Sequence, residues 1–109
     1  MLLKDVLQKF KEQAPGTDAY KEVKAKCLEL MTSDPNNAAA YFLIFGFARS
    51  YVLLFEEEAV SPDLASRAKK QLEHYMDILC SAIADGTVEA KMSSLNAIVL
   101  DYLQSDRIF

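Results

Sequence analysis

Few side chains in this chain have the chemistry to catalyse anything. There is one histidine, His74, the residue type most often recruited to move protons near neutral pH. Read on a helix, Lys70 and Gln71 lie one turn before it and Asp77 one turn after it. A His–Asp pair so spaced can hold an imidazole tautomer, yet the nucleophile has to come from elsewhere. Cys80 falls on another face of the same helix, and Cys27 could approach only through tertiary packing. His74 therefore reads as a half-exposed helix histidine pairing with Asp77. There is no C-x-x-C, no H-E-x-x-H and no EF-hand loop, and a bundle di-iron site needs a Glu-x-x-His on each of two helices. Three scattered glycines cannot form a phosphate-cradling loop. The expectation is a non-enzyme with no catalytic residue, no cofactor and no metal.

Charge narrows the partners. Twelve Lys and Arg stand against sixteen Asp and Glu over 109 residues, a net charge of −4. That balance lacks the basic footprint of a nucleic-acid binder and is repelled by anionic lipid. The bases Lys21, Lys24, Lys26, Arg67, Lys69 and Lys70 read as solvated helix faces. The acids are uneven: residues 1–33 hold six bases and five acids, residues 34–109 six bases and eleven acids. Three of them, Glu56, Glu57 and Glu58, stand together where a helix is expected to end, with Asp63 close behind. A helix C-terminus carries partial negative charge and disfavours anions, and a local rule broken without visible gain marks a candidate functional site. An acidic knob of this kind suits a partner with a basic surface.

The elements that would position these groups are helices. Hydrophobic residues make up 51 % of the chain and no stretch alternates like a strand, so the expected fold is an all-α single-domain bundle of about five helices, residues 1–109, possible also as stacked helical hairpins. The first is expected over about Leu2–Gln13, with Leu3, Val6, Leu7 and Phe10 inward. The second starts after Thr17 as N-cap, with Tyr20, Val23, Cys27, Leu30 and Met31 inward, and ends near Ser33. Asp34-Pro35-Asn36-Asn37 then makes a turn and an amide N-cap. The third, Ala38–Phe55, is apolar all round except for Gly46, Arg49 and Ser50. Such a helix is either the buried centre of a bundle or a membrane span; Arg49 and the glutamates that follow favour the centre, with no membrane as partner. Gly46 is expected to let a neighbouring helix come close. The fourth opens with Ser61-Pro62-Asp63 and stops at Gly86, and Thr87 caps the fifth, whose inward face is Val88, Met92, Leu95, Ile98 or Val99, and Tyr102. Helices two and three, and four and five, are expected to pair as hairpins.

Eleven aromatics in so small an acidic chain leave two outcomes for the third helix. Either Phe47, Tyr51 and Phe55 are core, or one side stays open and those rings form an anchor strip. A leftover apolar patch would be closed by a partner or by a second copy, as a homodimer. The two cysteines sit within helical patterns as free thiols, and the start, Met1-Leu2-Leu3-Lys4-Asp5, carries an acid early with no unbroken apolar run. A cytoplasmic location is expected.

Asp34-Pro35-Asn36-Asn37-Ala38, preceded by Cys27-Leu28-Glu29-Leu30 and followed by Tyr41, resembles the junction between tetratricopeptide repeats, although the proline comes about a turn late and no second copy follows. The whole layout is similar to that of small helical immunity proteins that protect bacteria from type VI secretion toxins: a helix ending at Asp34-Pro35, a long helix, then Ser61-Pro62-Asp63 and the Ala68–Leu72 stretch. The second resemblance implies an acidic, cytosolic, all-α protein that blocks a toxin by covering its active site. The expected function is thus a non-enzymatic protein-binding domain, an immunity or inhibitor protein, with Glu56, Glu57, Glu58 and Asp63 as the recognition edge and Tyr51 and Phe55 as apolar anchors. The alternative is an adaptor or scaffold domain of tetratricopeptide-like hairpins.

Overall fold

A computed structural model describes residues 1–109 as five helices and no strand. Helix α1, Leu3–Glu12, buries the stripe expected of it, Leu3, Val6, Leu7 and Phe10. The Asp5 carboxylate accepts the Leu2 backbone N–H at 2.8 Å, satisfying one orphan donor of the first turn. Helix α2, Thr17–Ser33, turns Ala19, Tyr20, Val23, Cys27 and Leu30 inward. Thr17 is its first helical residue rather than its cap. Extended Gly16 takes the cap position and no side chain bonds there.

A single 3₁₀ turn, Pro35–Asn37, leads into α3, Ala38–Phe55, which has the boundaries its sequence implies. Asn37 takes the N-cap position of α3 as expected, but its side chain makes no cap bond; its amide N–H₂ donates to Asp34 at 2.8 Å, and the Tyr41 hydroxyl donates to the same carboxylate oxygen at 2.5 Å. Helix α4, Pro62–Asp85, begins as its sequence requires: the Ser61 hydroxyl accepts the Leu64 N–H at 3.1 Å, proline fills the first position, and Gly86 ends it at φ 81°. Helix α5, Val88–Gln104, starts from Thr87, whose hydroxyl accepts the Ala90 N–H.

Helices α2 and α3 pair as one hairpin and α4 and α5 as another, with α1 laid across α2 and α4. Two aromatic clusters hold the hairpins together, and α3 belongs to both. At one, Phe10 of α1 meets Tyr20 of α2 edge-on at 5.1 Å, and Tyr20 stacks on Tyr51 of α3 at 3.8 Å. At the other, Phe47 of α3 touches Tyr75 of α4, Tyr102 of α5 and Phe109, with ring centroids 5.0 to 5.4 Å apart. The Tyr75 hydroxyl donates to Asp101 at 2.6 Å and accepts from Gln71, which also donates to Ser105. That polar chain fixes α5 on α4. Between α1 and α4, Lys69 sits 5.3 Å from the Phe10 ring centre, pairs with Glu73 and donates to the Lys11 carbonyl.

Not every buried polar group is satisfied. The Tyr20 hydroxyl is buried without a hydrogen-bond partner in the chain, an arrangement that costs about 1–3 kcal/mol. Tyr20→Phe keeps the ring contacts and is expected to raise unfolding free energy by about 1 kcal/mol in urea melts; a loss of stability would show that the hydroxyl is bonded.

The hydrogen bonds from Tyr41 and then Asn37 hold the Asp34 carboxyl below the usual carboxylate range. Because the folded form is the one with the lowered pKa, the stabilisation is present above the unfolded value of about 4 and is lost as pH falls through the folded one. Tyr41→Phe should therefore cost about 1–2 kcal/mol at neutral pH, with the gap to wild type narrowing in acid. A gap independent of pH contradicts the assignment.

Candidate binding surface

The groups with chemical potential do not converge. His74 is exposed on α4, and neither it nor Asp77 makes a hydrogen bond or ion pair, so the expected His–Asp pairing is absent. Burial pushes the Cys27 thiol up to about 12 and the partly buried Cys80 thiol up to about 11, so neither is a thiolate at neutral pH. No three His, Cys, Asp or Glu side chains stand close enough to hold a metal ion. Several bases are taken up by acids: Lys21 by Glu56, Arg67 by Asp63 and Asp106, Lys69 by Glu73.

The acidic run lies at the exposed end of α3, as its position in the sequence implies, but its members differ. Glu56 forms an ion pair with Lys21 and so ties the end of α3 to α2. Asp63 holds Arg67 at 3.0 Å, and Arg67 reaches on to Asp106 at 2.8 Å. Glu57 and Glu58 make no ion pair and face solvent. Glu57 also adopts φ 66°, the left-handed conformation in which a helix usually ends on glycine. A side chain there costs about 1 kcal/mol, and strain of this kind collects where a local sequence serves something other than stability.

The two aromatic anchors fare differently from the acids. Tyr51 is 1 % exposed, enclosed by its stack on Tyr20, and offers no ring to a partner. Phe55 is half-buried, 4.8 Å from Tyr51. The third helix does keep one side open, but it is the side opposite these rings. Phe42 is 62 % exposed and Leu53 67 %, eleven positions apart and within about 20° of each other around the helix. Phe45 stacks beside Phe42 at 5.9 Å, and Arg49 projects between the two apolar ends without an ion pair. Gly46 lies on this open side too; a Cβ there would meet nothing within 4 Å, so no neighbouring helix of this chain explains the glycine. The segment Pro35–Phe55 is long and apolar enough to cross a membrane by length and composition, with 39 % of its most apolar window buried in the fold.

A second open stripe lies on α5. Helical spacing points its apolar face inward, yet only Ile98 is buried and Leu95 and Tyr102 are half-buried. Val88, Met92, Val99 and Leu103 are exposed along one line. The reason is placement: α5 rests on α4 through Ile98 and the Tyr75–Asp101 bond, which turns the rest of its apolar stripe past the edge of the core. Scattered exposed leucines are normal on any protein; these are aligned. Helical spacing shows such a stripe in the sequence but not whether the chain itself covers it.

No family model, curated protein or solved structure matches the chain.

Proposed function

We propose that this chain is a non-enzymatic protein-binding domain that occludes its partner, in the manner of an immunity or inhibitor protein, and that the contact is made by the open side of α3 together with the acidic turn that follows it. What supports the reading is the continuity of the two. The open side that carries Phe42 and Leu53, with Arg49 between them, runs on into Glu57 and Glu58, which are exposed, unpaired and, at Glu57, held in a strained backbone. A partner matching it carries an apolar ridge flanked by basic side chains. Aromatic and leucine anchors supply the binding energy of such contacts, while the acids set approach and orientation.

The adaptor alternative needs a cleft for a short peptide. The rings of Phe47, Tyr102 and Phe109 occupy the floor between α3 and α5 and leave only an open depression there. The exposed anchors stand on the outward side of α3, which suits contact with a folded surface. Gly46 on that same side lets a partner approach the helix backbone closely.

The test is quantitative affinity capture from the native host, with wild type beside three variants. One folded, basic protein retained in stoichiometric amount is expected. Phe42→Asp with Leu53→Asp, and separately Glu57→Lys with Glu58→Lys, should each reduce its retention at least tenfold without altering helicity. Glu57→Gly should instead raise stability by about 0.5–1 kcal/mol while weakening capture. Retention at the wild-type level by all variants excludes this surface.

A further inference from the structure

We infer that the segment Asp106–Phe109, which follows α5, is a displaceable strap over a binding seat between α3 and α5. The seat takes an extended segment of a partner protein with the strap's own pattern, an acid three residues before an aromatic ring. The occupant is read from the chain itself. Phe109 is 2 % exposed and is the one core residue that no helix carries. Its ring packs on Phe47 at 5.2 Å between centroids and lies 6.3 Å from Tyr102. The Tyr102 hydroxyl donates to the Phe109 carbonyl, and Arg67 of α4 holds Asp106 at 2.8 Å. The seat thus reads three features: Phe47 and Tyr102 an aromatic ring, the Tyr102 hydroxyl a main-chain carbonyl, and Arg67 an acid.

Little besides that ring holds the strap. The N–H groups of Asp106, Ile108 and Phe109 and the carbonyls of Asp106, Arg107 and Ile108 make no hydrogen bond within the chain; the Arg107 N–H donates to the Ser105 hydroxyl at 3.1 Å. Arg107 adopts φ 49°, a conformation that favours glycine. The Arg67–Asp106 pair lies at the surface, where ion pairs contribute little. A segment with one buried ring and no backbone ladder opens without unfolding the helices.

Opening uncovers Phe47 and Tyr102 and joins their seat to the depression of about 270 Å³ beside it, where Leu43, Gly46 and Ser50 of α3 line the wall. An incoming aromatic side chain then replaces like with like. It restores the ring contacts and the Tyr102 hydrogen bond, and the acid three residues before it restores the pair with Arg67. Strap and partner segment compete for one seat, so apparent affinity falls to the fraction of molecules in which the strap is open. Phe42, Leu53, Glu57 and Glu58 supply none of the three recognising groups, so this inference stands apart from the proposed partner contact.

The probe is an acetylated, amidated peptide, Ser-Asp-Gln-Ile-Phe, with Gln in place of Arg so that trypsin does not cut it; the Arg107 side chain is exposed and makes no contact that recognition needs. Titrated by NMR into full-length Phe109→Ala, it should bind saturably, with shifts centred on Phe47, Tyr102 and Arg67. Wild type should bind it at least tenfold more weakly, and the same peptide ending in Ala should not bind either chain. No saturable binding by a folded Phe109→Ala overturns the seat, and equal affinity for the two chains overturns the competition. Native-state trypsin cleavage tests the wild type without any substitution. The Arg107–Ile108 bond should be cut before every other site, at urea concentrations that leave helicity unchanged, and the peptide should speed that cut by trapping the open strap. Cleavage there that appears only with global unfolding, or a rate that the peptide leaves unchanged, overturns the inference.

Discussion

A helix that is apolar on every side has to be covered on every side, and a chain of 109 residues has too few elements to surround one. Helix α3 imposes that constraint on everything else. Its inner half joins both aromatic clusters, Tyr51 stacking toward α1 and α2 and Phe47 reaching α4, α5 and Phe109. Tyr51 and Phe47 lie one turn apart, so one face of one helix aligns both hairpins. Once α2 and α4 have taken the inner half, only α1 and α5 remain; α1 packs on α2 and α4, and α5 reaches α3 through Tyr102. Small domains expose a larger share of their apolar surface for this geometric reason.

The same economy bears on function. Groups that often do chemistry are here either structural or isolated. Asp34 closes the turn before α3, Asp101 and Gln71 fix α5, and the cysteines are buried or half-buried thiols. What remains with no structural role is apolar surface on α3 and α5, together with unpaired acids at the end of α3.

Much of the fold is legible in the residues. The buried stripe of α1, the Ser61 and Thr87 caps, the Gly86 stop and both boundaries of α3 follow from local rules, because each depends on neighbours in sequence. Facing is a different matter. Periodicity identifies the α5 stripe but not what covers it, and an all-apolar helix has no periodicity from which to choose its buried side. Tyr51 was therefore indistinguishable from Phe42 as an anchor, although one is core and the other surface. Gly46 could signal close packing but not by whom. The acids of the candidate site are legible as a run, and so is the Asp63–Arg67 pair one turn apart; the ion pair that takes up Glu56 comes from Lys21, distant in the sequence.

Helix α3 has one core side and one open side, and α5 presents its stripe outward. Hydroxyl-radical footprinting of the isolated chain tests this residue by residue. Rapid modification is predicted at Phe42, Leu53 and Met92, with Tyr51, Phe47 and Met76 protected. Modification of Tyr51 as fast as that of Phe42, or protection of Met92 equal to that of Met76, would mean that the helices face the other way and would contradict the account.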